Sequence, residues 1–263
     1  MDFATIKQRI AGVPYILPEM AQDLYTFIRR AKPENCLELG FGHGASSCYM
    51  AAALAANGSG RLTAVDLESA REWQQPAIEE LLGTTGLASN VRVRREPTSY
   101  TWFLKKEIEA ASSGGVCTPC YEFCFIDGAK NWTIDTAAFF LVDKLLKPGG
   151  WIVFDDLQWT YRSKLAEGKR KTDGVYMTGM DDDELDQPHV ELIYSLLVMQ
   201  HPHYANFTIK DDWWAWAQKA EGRRDVRFDY SEAYLLRRAE QERKTGVKKR
   251  LPLTPFTGSD LVF

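Results

Sequence analysis

The sequence has no long apolar run, since no stretch approaches the roughly 18 residues that a membrane-spanning helix needs. The segment Met1–Lys7 also has no signal-peptide core. Together these observations predict a cytoplasmic protein that does not contact a membrane.

The chain also has no excess of positive charge, because 32 lysines and arginines stand against 36 aspartates and glutamates, for a net charge of −4. Such a balance does not attract a phosphate backbone, so a nucleic-acid partner is disfavoured and a small-molecule substrate is favoured. With 263 residues and 45% hydrophobic content, the chain can bury the core of one α/β domain.

Cysteine is scarce, with five residues in all, which is an odd number. Cys36 and Cys124 lie in apolar runs, where buried thiols are common. Cys117 and Cys120 have the spacing of a redox or zinc motif, but no second pair or nearby histidine completes four ligands. The sequence therefore gives little support to a zinc or redox role.

Short β-type runs alternate with helical stretches through the first 156 residues. The predicted strands are Asn35–Leu39, Arg61–Asp66, Val91–Glu96, Tyr121–Ile126 and Trp151–Asp156, and the predicted helices are Ala45–Ala56, Glu72–Leu82 and Thr133–Leu146. This alternation is typical of an α/β fold with a doubly wound, Rossmann-like parallel sheet.

The alternation of strands and helices stops after Asp156, and residues 157–189 are polar and irregular. A connection of this length in a compact domain is typical of a lid, a binding loop or a disordered insert, and a lid insertion is predicted here. A helix at Val190–Gln200 and strands at Asn206–Lys210 and Trp214–Lys219 then complete a sheet of seven strands, mostly parallel, whose last strand is antiparallel.

Residues 1–219 are thus predicted to form one domain, and residues 220–263 a C-terminal extension. The extension has an amphipathic pattern near Ser231–Lys244 that predicts a helix. We expect it to dock on a neighbouring subunit and make a homo-oligomer; a solvated arm is the alternative.

The first candidate site is a turn in which an apolar strand delivers Glu38 into three glycines, Gly40, Gly42 and Gly44. Glycine lets a backbone approach a ligand closely, and the helix that follows presents its N-terminal amides to the same place. Asp66 ends the next strand, where an acid suits a pair of ribose hydroxyls. The pattern predicts a nucleotide-type cofactor; the alternative is that the glycines serve only a tight connection.

The second candidate site consists of Asp127 at the end of the fourth strand and Asp155 and Asp156 at the end of the fifth. In a doubly wound sheet these strand ends meet at the ligand-binding edge. Three crowded carboxylates repel one another unless a cation lies among them, and oxygen ligands suit Mg²⁺ or another hard divalent ion. Alternatively, Asp155 or Asp156 caps the following turn and Asp127 orients the cofactor.

These motifs resemble those of the class I S-adenosylmethionine-dependent methyltransferases over residues 35–219. The first motif of that family matches E-L-G-F-G-H-G, and its second-strand acid matches Asp66. Within the family, the small-molecule O-methyltransferases of the catechol and macrolide-sugar type resemble I-D-G-A-K-x-W-x-x-D and L-L-K-P-G-G-W-I-V-F-D-D.

The resemblance implies a set of site residues. It places the metal ligands at Asp127, Asp155 and Asp156, and a catalytic base at Lys130, where catechol enzymes have lysine and antibiotic-tailoring enzymes usually have histidine. The departure from the histidine form leaves the substrate class open. At Asp156, where catechol enzymes hold asparagine, the ion preference stays open.

The catalytic residues are expected to be Lys130 and Asp127. The expected cofactor-binding residues are Glu38, Gly40, Phe41, Gly42, Gly44, Ser46, Asp66, Leu67, Thr98, Ser99 and Asp127. The residues expected to face the substrate are Tyr15, Trp159, Tyr161, Tyr176 and His189.

The implied function is S-adenosylmethionine-dependent, divalent-metal-assisted O-methylation of a hydroxylated small molecule, with natural-product biosynthesis as the expected setting. Methyl transfer depends mainly on in-line positioning, and the hydroxyl must also lose its proton, for which a cation and Lys130 are suited. The main alternative is a metal-independent N-methyltransferase of a small-molecule amine. An NAD-dependent dehydrogenase, disfavoured by the G-x-G-x-G spacing, and a non-catalytic cofactor-binding module are further alternatives.

Overall fold

Residues 1–14, 16–221 and 228–246 are described by the computed structural model of this protein. The chain divides into two compact units. Unit one comprises residues 1–129 and 140–147, and unit two comprises residues 130–139 and those from Pro148 onward.

The elements in chain order are as follows. The helices are α1 Phe3–Arg9, α2 Pro18–Ala31, α3 Ala45–Asn57, α4 Ile78–Thr85, α5 Tyr100–Ala110, α6 Trp132–Leu145, α7 Tyr161–Ala166, α8 Asp182–Asp186, α9 His189–Ile193 and α10 Glu232–Thr245. The strands longer than two residues are β1 Asn35–Leu39, β2 Arg61–Leu67, β3 Val91–Glu96, β4 Tyr121–Ile126, β5 Leu146–Phe154, β6 Tyr204–Lys210, β7 Trp214–Lys219 and β8 Phe228–Tyr230.

Unit one contains the parallel strands β4, β1, β2 and β3 in that spatial order. Their burial explains their sequences: residues 36–39 of β1 and 62–65 of β2 are buried throughout, so both runs are apolar almost without interruption. Helix α3 is buried over most of its length and is rich in alanine, which allows close packing against α2. The predicted alternation of strands and helices is confirmed in this unit.

Unit two contains β8, β6, β7 and β5 in that spatial order. Strand β7 is antiparallel to both β6 and β5, as the sequence predicted. The prediction of seven strands missed β8, a three-residue strand that pairs in parallel with β6. A strand this short in a charged stretch has too few residues to show alternation.

The described part of the predicted C-terminal extension packs within unit two. Helix α10 lies over nearly the predicted range and begins after Ser231, whose side chain accepts a hydrogen bond from the Tyr234 N–H. Tyr234 is buried, with 2% of its surface exposed. Docking on a neighbouring subunit stays a prediction.

Some helix boundaries differ from those predicted. The predicted helix at Glu72–Leu82 begins only at Ile78, and a 3₁₀ turn covers Glu68–Glu72. Pro76 explains the gap, because proline has no N–H to donate and disfavours helical geometry in the residue before it. The predicted helix at Val190–Gln200 is α9 followed by a π-helical turn at Tyr194–Val198.

Residues 157–189 contain more regular structure than the polar sequence indicated. Helix α7, a hairpin of Lys171–Thr172 with Val175–Tyr176, and helix α8 occupy most of this segment. Its action as a lid stays a prediction. Across the described residues, no helix has both the length and the apolar character that crossing a bilayer requires.

Candidate functional site

The glycine turn in unit one links β1 to α3, and its conformation requires glycine. Gly40 has φ +89°, and a Cβ there would lie 2.4 Å from the backbone oxygen of Asp127. Gly44 has φ +92°, and a Cβ there would lie 2.6 Å from Cγ1 of Ile78. Side chains rarely adopt this backbone region, and the space is already filled. The turn therefore places bare backbone at the carboxyl ends of β1 and β4.

Asp66, at the end of β2, holds this turn in place. Its Oδ2 accepts hydrogen bonds from the backbone N–H groups of Phe41 at 3.2 Å and Gly42 at 3.0 Å, and from Nε2 of Gln74 at 3.1 Å. Its Oδ1 accepts one from the Leu67 N–H at 2.7 Å. The acid predicted to bind ribose thus also organises the backbone that would cradle the cofactor.

Two further residues, which sequence reasoning missed, support Asp66. Gln74 is fully buried, and its Oε1 accepts a 2.6 Å hydrogen bond from Arg95. Arg95 is 3.2 Å from Glu79, and its guanidinium lies 4.9 Å from the centre of the Phe41 ring, a cation–π distance. Arg95 is one of three arginines in β3, and the sequence pattern singles out neither it nor Gln74.

Glu38 is a fully buried carboxyl group at the end of β1, and the hydroxyls of Ser46 and Ser47 donate to its two oxygens. Burial raises the pKa of Glu38 to about 8; the two serine hydroxyls lower it, and the nearby charges of Asp127 and Asp66 raise it. Near neutral pH the group therefore holds a proton unless a cation approaches. Such a group is suited to binding a positively charged ligand.

The segment that carries Asp127 is fixed by close packing. The Asp127 N–H donates to the Leu39 oxygen at 2.8 Å, and the Ala129 N–H donates to the Tyr100 hydroxyl at 3.1 Å. A Cβ on Gly128 would lie 2.2 Å from the Tyr100 ring, so this position also requires glycine. Tyr100 thus locks the residues around Asp127.

Thr98 and Ser99, predicted to meet the cofactor, lie in the turn between β3 and α5. The Ser99 hydroxyl accepts a 3.1 Å hydrogen bond from the Thr101 N–H and so caps α5. Thr98 is exposed. Their contact with the cofactor stays a prediction.

In unit two, the start of α6 is capped by side chains. Oδ1 of Asn131 accepts from the N–H groups of Thr133 at 3.0 Å and Ile134 at 3.1 Å. Oδ2 of Asp135 accepts from the Asn131 N–H at 2.8 Å. Asp135 therefore helps to fix the helix start.

Lys130 and Asp156 form an ion pair with Nζ 3.2 Å from Oδ2, and their side chains are 12% and 25% exposed. Both residues have left-handed backbone geometry, with φ 52° for Lys130 and φ 56° for Asp156. Each such conformation costs about 1–3 kcal/mol in a residue other than glycine, and it clusters at functional sites. The pairing of two such residues marks this corner as a candidate site.

Asp155 is buried, and the protein holds it from two sides. Its Oδ1 accepts a 2.7 Å hydrogen bond from Nε1 of Trp214 and another of 2.7 Å from the Asp156 N–H. One carboxylate of the predicted metal set is therefore positioned by a tryptophan of β7.

The predicted magnesium ligands are divided between the units, with Asp127 in unit one and Asp155 and Asp156 in unit two. Within the described part of the chain, no group of three or more His, Cys, Asp or Glu residues is placed to hold a metal ion. Asp155 is engaged with Trp214, and Asp156 is engaged with Lys130. Magnesium binding stays a prediction of the sequence pattern, and no catalytic step is assigned to it.

The residues predicted to face the substrate have different environments. Tyr161 is fully buried, with its ring centre 4.6 Å from that of Trp159 and 5.1 Å from that of His189. Tyr176 is 65% exposed. Both ring nitrogens of His189 have backbone partners in unit two. Tyr15 lies outside the described residues.

The model of the family described as "Methyltransferase domain" matches residues 37–157. These residues form a methyltransferase domain. The match includes the glycine turn, Asp66, Asp127, Asp155 and Asp156. It agrees with the predicted resemblance to the class I S-adenosylmethionine-dependent methyltransferases.

Solved structures share the fold of this methyltransferase. An O-methyltransferase from Bacillus cereus in complex with SAH is 19% identical with a TM-score of 0.56, over 83% of this chain and 91% of that one. The O-methyltransferase TomG from Streptomyces achromogenes, involved in tomaymycin synthesis and in complex with SAM, is 18% identical with a TM-score of 0.53, over 83% and 89%.

The SAH-bound methyltransferase PaMTH1 from Podospora anserina is 14% identical with a TM-score of 0.57, over 84% of this chain and 89% of that one. These likenesses confirm the Rossmann-like methyltransferase fold. Comparison with curated protein sequences gave no match.

Proposed function

We propose that this methyltransferase transfers the methyl group of S-adenosylmethionine to a hydroxyl group of a small molecule. The observation that carries the proposal is the glycine turn held by Asp66 beside the buried carboxyl of Glu38. The solved structures of similar fold support it, because two of them are O-methyltransferases in complex with SAM or SAH.

The chain's own residues suit this cofactor, whose sulfonium supplies the activated methyl group. Gly40 and Gly42, both with positive φ, carry no side chain that would stand between the backbone and the ligand. Oδ1 of Asp66 accepts from the Leu67 N–H, and a carboxylate oxygen can accept a second hydrogen bond, as from a ribose hydroxyl. Glu38, which burial keeps protonated near neutrality, ionises when a cation binds beside it.

Lys130 is the residue that we propose acts on the acceptor hydroxyl. An ammonium paired with Asp156 donates hydrogen bonds and can hold an acceptor oxygen; as a base, Lys130 would first have to release a proton from that pair. The sequence predicted the base role. Replacement by arginine separates the two roles, because arginine donates but does not accept a proton.

Magnesium assistance by Asp127, Asp155 and Asp156 is the finer form of the proposal, and it is supported by the sequence pattern alone. Metal-independent N-methylation is the second candidate, favoured by the ion pair that engages Asp156 with Lys130. An amine acceptor has no hydroxyl that must lose a proton, so its methylation would need no cation to lower a hydroxyl pKa. A role in natural-product biosynthesis, a cytoplasmic location and a homo-oligomer assembled through the C-terminal extension are further proposals from the sequence.

The test combines calorimetry with a methyl-transfer assay. We expect S-adenosylmethionine and its demethylated product to bind, and NAD not to bind. The purified protein is then incubated with labelled S-adenosylmethionine and two matched acceptor sets, one of phenols and sugar hydroxyls and the other of amines. Transfer to hydroxyls supports the proposal; transfer to amines alone supports the second candidate; binding of NAD alone contradicts both.

A further inference from the structure

The start of α6 has no backbone donor left open over residues 131–134. Asn131 and Asp135, which are local to the helix, accept from three of the four N–H groups. The fourth, that of Trp132, donates to Nδ1 of His189 at 3.0 Å. A residue remote in sequence therefore completes the cap, directly beside Lys130.

The hydrogen bonds of His189 define its tautomer. Because Nδ1 accepts from the Trp132 N–H, the ring proton lies on Nε2, which donates to the Glu184 oxygen at 2.8 Å. The ring is buried, with 3% of its surface exposed. It joins the helix start that follows Lys130 to helix α8, and it has no nitrogen to spare for a substrate.

Lys130 directly precedes this cap and has a backbone conformation that is uncommon for a lysine. Its left-handed backbone, φ 52°, turns the chain so that its ammonium reaches Asp156 at 3.2 Å. A strained conformation persists only when its surroundings hold it, and the amide of Trp132, two residues along the chain, is fixed by His189.

We propose that His189 is a positioning residue for methyl transfer, which fixes the Trp132 amide through Nδ1 and so holds Lys130 where it acts on the acceptor. This rests on the proposed function, in which Lys130 contacts the acceptor hydroxyl. The competing role is structural only: His189 would join α8 and the ring of Tyr161 to the rest of unit two and would have no effect on Lys130.

Three substitutions separate the two roles. In His189→Asn, the amide oxygen occupies nearly the position of Nδ1 and keeps an acceptor for the Trp132 N–H, while the Nε2 donor is lost. In His189→Gln, the amide nitrogen keeps a donor for the Glu184 oxygen, while the Nδ1 acceptor is lost. His189→Ala loses both.

We expect kcat to fall about 10- to 100-fold in His189→Gln and His189→Ala, a loss comparable to that of a displaced catalytic group. His189→Asn should recover most of that loss. The acceptor KM and the cofactor Kd should change little. Equal losses in the Asn and Gln variants, or losses that appear only in Tm, would contradict the proposal.

A double-mutant cycle with Lys130→Ala gives a test that a structural role would not pass. If His189 acts through Lys130, adding His189→Gln to Lys130→Ala should reduce kcat little further. If the two losses multiply, His189 acts elsewhere and the proposal is wrong.

Hydrogen exchange gives a readout that does not depend on activity. The amide of Trp132 should exchange faster in His189→Gln than in His189→Asn, whereas the amides of β1 should exchange alike in both. Equal rates at Trp132 would contradict the proposal. If exchange differs as expected and the parent protein methylates neither acceptor set, the proposed function fails while the positioning contact stands.

Discussion

At the residue scale, three ionisable groups have environments that single them out. Glu38 is buried with a raised pKa, Asp66 holds the glycine turn, and Lys130 is paired with Asp156. The environment of each group depends on residues that are distant in the sequence. Each group can be tested by substitution with a side chain of similar size.

Glu38 should make the free protein less stable as pH rises. Its pKa in the folded state, about 8, lies above the ordinary value of 4.5, so folding takes up a proton between those values. The contribution of Glu38 to the free energy of unfolding is fully present below pH 4.5. It falls by up to about 1.4 kcal/mol per pH unit as pH rises, and it is lost once pH has passed through 8. In urea unfolding between pH 5 and 8.5, Glu38→Gln should show a flatter slope than the parent; identical slopes would exclude the effect.

Replacing Asp66 by Ala should weaken cofactor binding by about 1.5–3 kcal/mol, the range for hydrogen bonds to a charged group. The variant loses the acceptor for the Phe41 and Gly42 amides as well as the expected ribose contact. Asp66→Asn is the matched control, since it keeps an acceptor oxygen and should bind with intermediate affinity. Calorimetry with S-adenosylmethionine measures both, and parent-like affinity in Asp66→Ala would contradict the assignment.

Lys130→Ala should lower kcat by roughly 10²–10⁴, the usual contribution of positioned proton transfer, with little change in cofactor Kd. Lys130→Arg keeps the positive charge but cannot accept a proton, so a base role predicts no recovery and a donor role predicts partial recovery. Steady-state kinetics on the hydroxyl acceptor measures both variants. An alanine variant within a few-fold of the parent rate would remove Lys130 from the mechanism.

At the element scale, the turns after β1 and β4 lie where the two backbones approach each other closely. Strand β1 and strand β4 end so near each other that Gly40 and the residues at Asp127 leave no room for a Cβ. The sequence predicted these strand ends correctly, because apolar runs and glycine spacing are local signals. It did not predict the break at Pro76, the support by Gln74 and Arg95, or the contact of His189 with Trp132, since these depend on which distant residues meet.

Two glycines should therefore respond in opposite ways to alanine. Gly40→Ala adds a methyl 2.4 Å from the Asp127 oxygen at a positive φ, and it should lower the free energy of unfolding and abolish cofactor binding. Gly83 lies exposed within α4, with ordinary φ and nothing within 4 Å of an added Cβ. Gly83→Ala should thus raise the free energy of unfolding by about 0.5–1 kcal/mol. Denaturant titration measures both, and equal effects would contradict this reading.

At the scale of the whole molecule, the class of the protein was readable from the sequence, because its motifs are contiguous. The seven predicted strands and the antiparallel β7 are present, and β8 adds to them. The predicted metal ligands show where inference from motifs stops. Their spacing was read correctly as three strand-end acids, but the spacing did not reveal that Trp214 and Lys130 engage two of them.

Chelation decides whether the protein needs a divalent ion. If Asp127, Asp155 and Asp156 bind Mg²⁺ during turnover, exhaustive chelation should abolish transfer to the hydroxyl acceptor, and added Mg²⁺ should restore it. Asp155→Asn should then raise the Mg²⁺ concentration needed for half-maximal rate more than it weakens cofactor binding. Full activity in the chelated protein would instead leave Asp155 with the role of binding Trp214 and Asp156 with that of pairing with Lys130.

The closed cap of α6 also determines how an acceptor can be recognised. A helix start carries the positive end of the helix macrodipole, and open amides there commonly anchor phosphate or carboxylate groups. Here Asn131, Asp135 and His189 have taken those amides, so an anionic acceptor would experience the field of the helix but find no backbone donor at residues 131–134. Selectivity is thereby left to side chains, and single substitutions can change which acceptor is methylated while the backbone of the site stays as it is.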